Sequence, residues 1–501
     1  MTLRDLLERA CAASPDATAL RAGEEHLSFA ALDSLADGIA KDLHGHRLHR
    51  DEPVLLAVSN RPEDIAGFFG IWKAGGVVVP IHRASLEADA LDIGERAGSR
   101  FAVTMRPDLP APAPFKPARI ASLDQMPPER PLLKDAAVIC FTSGTTGQPK
   151  GVVLGHAPYC RKLDQLQGLL AIKPGDTAVM PLNLTFIFGQ WVTFLTLAQG
   201  GTVHLVDRFT PEGFLQTLDE AKATHIGMVP TMLRMLMPVL EDTGARFDGT
   251  VMLGGEVTPP PLAERISALW PDARFWDMFG LSETGSCDLI LPPADFVARA
   301  QTVGHPSDGI TVKTDPASGE LLIDTPCRML GYLDAPDLTA AAFTEDGYFK
   351  TGDLATIHPD GSVELIGRAK ELINRAGNKI SPLEVERALM THPGVAAALA
   401  TGLPHELLGE SLQVMLVPKP GTALDQDEVK AFIRSLLPGP KRPDGYLIGE
   451  TLPTGRTGKA DRGALKKLLI AMEEEPAEYA SPACSAHEID PAYTGAAPKG
   501  D

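Results

Sequence analysis

Short aliphatic runs alternate along this chain with segments whose apolar positions recur every three to four residues. VLLAVS, VVVPI and RFAVT predict buried strands, while PEDIAGFFGIWKAG and SLEADALDIGERA between them predict amphipathic helices. LRDLLERACAA comes first as a helix, and LSFAALDSLADGIAKDL predicts a short strand at Leu27 to Phe29 that runs into a second helix. Strands and helices in that order, with short connections, favour a mostly parallel sheet covered by helices. Phe68, Phe69, Ile71 and Trp72 read as helix core rather than a ligand box. The Pro-rich stretch 106–118 predicts no regular structure.

The same rhythm resumes after residue 155. HAPYCRKLDQLQGLL, TFIFGQWVTFLTLAQGG, PEGFLQTLDEAKA and TMLRMLMPVL predict helices, interleaved with strands at DTAVMPLN, TVHLV, HIGMVP and GTVMLGG. Ligands of parallel sheets sit beyond the carboxyl ends of the strands, so MPLNLTFIFG, VPTMLRML, MLGGEVTPPPL and WDMFGLSET are expected to converge on one crevice. Beyond Gly285 short strands with Gly/Pro turns suggest a β-rich subdomain, and from Glu371 the chain restarts as a small α+β unit. The expected fold class is therefore α/β, with a large domain over 1–369, a small α+β domain over 370–471, and a polar tail over 472–501 that has too few apolar residues to fold.

Composition narrows the partners. With 46 basic and 65 acidic residues the net charge is −19, which disfavours nucleic acid and anionic membranes and requires any anionic substrate to find a local basic pocket. The six cysteines contain no C-x-x-C pair, so free thiols in a reducing compartment are expected and no metal signature is present. No stretch has the length and apolarity of a membrane span, and the expected location is cytoplasmic.

One stretch, FTSGTTGQPKG from Phe141 to Gly151, has the makings of a phosphate cradle: glycines for close backbone approach, four hydroxyls, and Lys150 for charge. It lacks Walker A spacing, and strands rather than a helix N-terminus flank it, so loop amides, hydroxyls and Lys150 must hold an anion alone. A Ser/Thr/Gly-rich linker is the competing reading. Downstream, Glu283 in DMFGLSET is suited to a hard cation such as Mg2+, and Phe279 offers a flat face to a ring. Asp353 in YFKTGDL sits in a tight turn, and Lys459 in LPTGRTGKADR is an ammonium on a loop of small residues. Each alone is as ordinary as a solvated side chain or a turn former.

Read together and in order, FTSGTTGQPKG, GGEVTPPPL, FGLSE, YFKTGDL, GRAKELINRAGNKISPLEVE and GRTGK resemble the signatures of the acyl-adenylate-forming superfamily of acid:CoA ligases, peptide-synthetase adenylation domains and luciferases, over Leu3 to about Lys467. The resemblance implies that Thr142, Ser143, Gly144, Thr145, Thr146, Gly147 and Lys150 hold the ATP β and γ phosphates, and that Ser282 and Glu283 place phosphate and Mg2+. It implies that Gly255, Glu256, Asp277 and Phe279 belong to the nucleotide site, with Phe279 beside adenine, and that Asp353, assisted by Arg368, binds ribose. Lys459 would bridge the substrate carboxylate and the α-phosphate. Phe186, Gly254 and Gly280 would line the acid pocket, Lys370 would be a hinge, and Gly377 would meet coenzyme A. Phe279 and Ser282 replace the commoner Tyr and Thr, and Asn374 stands where Lys is common.

Gly-Glu within GGEVTPPPL, the order Asp277-x-aromatic-Gly and the FIFG segment tilt the resemblance toward benzoate-type aryl CoA ligases. The function implied is an ATP-dependent acid:CoA ligase acting through an acyl-AMP on an aromatic or other small carboxylic acid. No carrier-protein or condensation segment is recognisable, which favours a stand-alone enzyme. A stand-alone adenylating enzyme that loads a carrier protein is the alternative, and a non-catalytic nucleotide-binding regulator the second.

Overall fold

The computed structural model describes residues 1–82, 87–104, 113–114, 130–142, 149–419, 421–453 and 460–474. The chain divides into two compact units, one of residues 1–313, 322–351 and 359–363, the other of 314–321, 352–358 and 364–501.

Two helix-covered sheets build the first unit. One runs in the order Gly331–Tyr332, Lys150–Gly155, Ala136–Thr142, Val77–His82, Pro53–Val58, Phe101–Thr104, Ala113–Pro114. Its middle strands are parallel, and its edges are antiparallel. The other has parallel strands Arg274–Phe279, Thr250–Gly254, His225–Met228, Thr177–Met180, Thr202–Leu205 and Thr18–Ala22, again with antiparallel strands at both edges. The expectation of a mostly parallel architecture holds, with antiparallel pairing confined to the edges.

Side chains explain the local boundaries. The early strand is Glu25–Ser28 rather than Leu27–Phe29, because the Ser28 hydroxyl accepts from the Ala31 N–H and starts the helix Phe29–Gly45 one residue sooner. Phe68, Phe69 and Trp72 pack against Phe194 with ring centroids 5.2–5.8 Å apart, and the Trp72 indole N–H donates to the Ala137 carbonyl at 2.9 Å. That apolar stretch is core. Of the Pro-rich segment only Ala113–Pro114 is described, as a strand against Phe101–Thr104.

The second unit contains a five-stranded sheet: Asn378–Ile380, Ile373–Arg375, Gly409–Pro418 and Val395–His405 in order, with Gly445–Ile448 also paired to Gly409–Pro418. Helices Pro382–Met390 and Gln426–Leu436 accompany the sheet, as an α+β unit requires. The helix Arg462–Glu474 is not among the sequence expectations and runs three residues into the stretch assigned to the polar tail. Its Leu465 is fully buried, and its Arg462 guanidinium is paired with Glu386 and, at 2.8 Å, with Glu371. Residues 475–501 lie outside the described residues. Among the described residues no helix is long and apolar enough to cross a membrane.

Candidate functional site

The phosphate-type loop joins two antiparallel strands, with Thr142 and Lys150 directly opposite each other at its mouth. Ser143, Gly144, Thr145, Thr146 and Gly147 lie outside the described residues, as does Lys459. The Lys150 ammonium stands 5.3 Å from the centre of the Tyr332 ring, within cation–π reach. The Tyr332 hydroxyl in turn donates to Glu283 Oε1 at 2.9 Å. A residue that the motifs do not single out thus joins two that they do.

Glu283 lies in the turn after the strand Arg274–Phe279, and the packing of that turn is tight. A Cβ on Gly280 would come within 2.3 Å of the Cys287 nitrogen, and one on Gly285, at φ +80°, within 2.6 Å of the Cys327 carbonyl oxygen. Ser286 and Cys287 follow with φ of 68° and 52°, unusual for residues with side chains. The strain is offset by a dense set of bonds. Ser286 N–H donates to the Leu281 carbonyl at 2.8 Å, Asp288 N–H to Phe279 at 2.7 Å, and Met329 N–H to Glu283 at 2.7 Å. Behind the turn, Thr284 donates to the Asp288 carboxylate, which pairs with Lys162 at 3.1 Å while both side chains are almost wholly shielded from water. Burial raises the Asp288 carboxyl pKa, and the Lys162 charge opposes that rise. This backing fixes Ser282 and Glu283 at the carboxyl end of the strand, half exposed.

The other expected nucleotide residues of this unit have different surroundings. Asp277 is buried in the strand, and burial pushes its carboxyl pKa up to about 6. Phe279, at the strand's end, is half-buried. Gly255 takes φ +81° just past the strand Thr250–Gly254. Glu256 accepts from the Thr231 hydroxyl at 2.8 Å and pairs with Arg234 at 3.3 Å, so its carboxylate is already engaged by the neighbouring helix.

Of the expected acid pocket, Gly254 is closely covered. An added Cβ would lie 2.9 Å from the Met278 carbonyl oxygen and 3.1 Å from the Phe188 ring. Phe188 itself stacks on Trp191 with centroids 5.3 Å apart. Phe186, two positions earlier, is 40% exposed at the start of the helix Ile187–Ala198. The ring that meets Gly254 is therefore Phe188, the second ring of the FIFG segment, which the letters alone do not distinguish from Phe186.

In the second unit Asp353 is 4% exposed and accepts from Arg368 Nε at 2.9 Å. Burial raises its pKa and the guanidinium opposes this. Lys370 is exposed in a short 3-10 turn. Gly377 (φ +81°) and Ala376 (φ 49°) form the turn between Ile373–Arg375 and Asn378–Ile380; positive φ at both central positions is what a two-residue hairpin of this hand requires. The ends of the segment that holds Lys459 are described: Asp461 N–H donates to the Pro453 carbonyl at 2.9 Å.

The chain is similar to known proteins along most of its length. The AMP-binding enzyme family matches residues 7–333, and the AMP-binding enzyme C-terminal domain matches residues 384–459. A feruloyl-CoA synthase of Amycolatopsis sp is 29% identical over 91% of this chain and 96% of its own. The fatty acid–[acyl-carrier-protein] ligase ScoC of Streptomyces coeruleorubidus is 31% identical over 79% of this chain and 83% of its own. Among solved structures, o-succinylbenzoate CoA synthetase (MenE) of Bacillus subtilis in complex with the acyl-adenylate OSB-AMP superposes with a TM-score of 0.79 at 25% identity, covering 92% of this chain and 97% of that one. The same synthetase is also known with ATP and a magnesium ion.

Proposed function

Because this chain belongs to the AMP-binding enzyme family, we propose that it is an ATP-dependent acid:CoA ligase that activates an aromatic or other small carboxylic acid as its acyl-adenylate and passes the acyl group to the thiol of coenzyme A. Membership carries the coarse activity, that of an AMP-forming ligase of the acyl-CoA synthetase class. The observation behind the rest is the meeting of Lys150 and Glu283 on the two ends of one tyrosine, which places a cation and a carboxylate at the mouth of a Ser/Thr/Gly loop. The aryl preference draws on the feruloyl-CoA and o-succinylbenzoate-CoA enzymes among its relatives.

A magnesium ion suits these residues. Among the described residues no group of three or more His, Cys, Asp or Glu is placed to cage a metal. Mg2+ carried in on nucleotide phosphates needs only one or two protein carboxylates, and Glu283 supplies one. Bound there, Mg2+ neutralises charge on the phosphate oxygens. Thr142 and Lys150, with Ser143, Thr145, Thr146 and the glycines between them, hold the β and γ phosphates; Ser282 steadies a phosphate oxygen. Phe279 packs beside adenine, and Asp353 takes the ribose hydroxyls with Arg368. The acid carboxylate attacks the α-phosphorus, pyrophosphate leaves, and Lys459 stabilises the charge that builds on the α-phosphate oxygens. The thiol then attacks the acyl carbon and AMP leaves. In this scheme residues 370–471 act as a small lid domain, with Lys370 as its hinge and the Gly377 turn as the face presented to the thiol.

Transfer to a carrier protein is the second reading, favoured by the likeness to an acyl-carrier-protein ligase. Incubation with ATP and a panel of aryl and aliphatic acids, with free CoA or a phosphopantetheinylated carrier, separates the two. AMP release driven by CoA with an aryl acid is the expected result; release only with the carrier overturns the CoA assignment. Lys150→Ala should slow pyrophosphate release by about 100-fold while leaving thioester formation from supplied acyl-adenylate much less affected. Equal loss in both steps would contradict the role given to the loop.

A further inference from the structure

We infer that Tyr332 is a positioning residue of this site: its hydroxyl orients the Glu283 carboxylate for a magnesium-bound phosphate chain while its ring seats the Lys150 ammonium. The inference rests on the proposal that Glu283 faces Mg2+.

The tyrosine is held more firmly than either group it touches. It lies on the short strand Gly331–Tyr332, paired antiparallel with the strand that leaves the phosphate loop, in the register Gly331 to Val153 and Tyr332 to Val152. Leu330 and Leu333 N–H groups donate at 2.8 Å to the Val153 and Gly151 carbonyls, and the Tyr332 N–H itself donates to the Thr339 hydroxyl at 2.9 Å. The side chain is 6% exposed. A phenol is protonated in the neutral range, and facing a carboxylate it can only donate. By contrast, Glu283 and Lys150 are half exposed and carry long, rotatable stems.

Two physical effects compete at Glu283. A donor to one oxygen withdraws charge from the carboxylate and by itself weakens its hold on a cation. The same bond fixes the plane of the carboxylate and aims its other oxygen, sparing that ordering cost when the cation arrives. The Met329 N–H to Glu283 carbonyl bond fixes the backbone beneath the same side chain. Positioning therefore predicts that more Mg2+ is needed without the hydroxyl, and competition predicts that less is. The ring acts separately, since a phenylalanine keeps a face for Lys150 and loses only the hydroxyl.

The test is calorimetric titration of ATP into the full-length protein, without acid, at graded Mg2+ and in EDTA, for wild type, Tyr332→Phe, Tyr332→Leu and Glu283→Gln. Tyr332→Phe should raise the Mg2+ concentration that half-saturates ATP binding about tenfold, the scale of one charge-assisted hydrogen bond, and leave affinity in EDTA unchanged. Tyr332→Leu should in addition weaken binding in EDTA by about 3-fold, through the lost cation–π contact. In a Glu283→Gln background the Phe substitution should add little, because the two act as one unit. Wild-type or tighter Mg2+ dependence in Tyr332→Phe, with Glu283→Gln impaired, overturns the inference alone. An unimpaired Glu283→Gln removes the magnesium reading beneath it, and the inference goes with it.

Discussion

Glu283 and Asp288 are acidic residues of the same short turn, yet the fold uses them in opposite ways. Asp288 faces inward, fully shielded, its charge met by Lys162 and the Thr284 hydroxyl. Glu283 is half exposed, and one of its oxygens accepts from the Tyr332 phenol. The inner pair consumes its charge in holding the turn, and the outer carboxylate stays accessible to water, as the proposed magnesium role requires. What separates them is the depth of their surroundings rather than their chemistry.

The sharpest way to break this contrast is from behind. Lys162→Ala leaves Asp288 buried without its counter-charge and should cost about 3–5 kcal/mol, read as a drop in unfolding stability. Replacing both partners by apolar residues of similar volume should cost far less, because the penalty belongs to the stranded charge. Asp277, in the strand Arg274–Phe279 that leads into the turn, tests burial without a counter-ion. Its folded pKa of about 6 lies above the ordinary value of 3.8, so the fold favours the protonated form. Stability is therefore highest below about pH 4 as far as this group is concerned. It falls as pH rises to about 6, by up to about 3 kcal/mol. Asp277→Asn should flatten that slope in urea unfolding series between pH 4 and pH 7; a slope unchanged in the variant refutes the assignment. The smallest effect belongs to the outer carboxylate. Glu283→Gln should move stability by about 1 kcal/mol or less, yet lower pyrophosphate release by about 100-fold.

The alternation of strands and helices was legible because each element carries its own period, and the Ser/Thr/Gly stretch stood out because its composition is local. Long-range partnerships were not. Tyr332 reaches Glu283 from a strand far along the chain, and nothing in the letters GYLDA announces the contact. Lys162 sits on a helix where a lysine normally faces water; only the folded chain shows Asp288 waiting beneath it. Glu256 was legible as a member of a motif, but its bonds to Thr231 and Arg234 depend on how the next helix lies over the strand ends. The Arg462–Glu474 helix was passed over because its amphipathic turns run straight into a polar tail. The ion pairs of Arg462 with Glu386 and Glu371 join residues distant in sequence.

Cys287, buried at the left-handed end of the turn, has a thiol pKa pushed up to about 12 by its surroundings. Such a thiol is inert while the turn is closed and becomes reactive only when water reaches it. The protein therefore carries a stopwatch beside its candidate magnesium carboxylate: the rate at which Cys287 is alkylated measures how often this turn opens, and any molecule that braces the turn should slow the clock whether or not it is ever turned over.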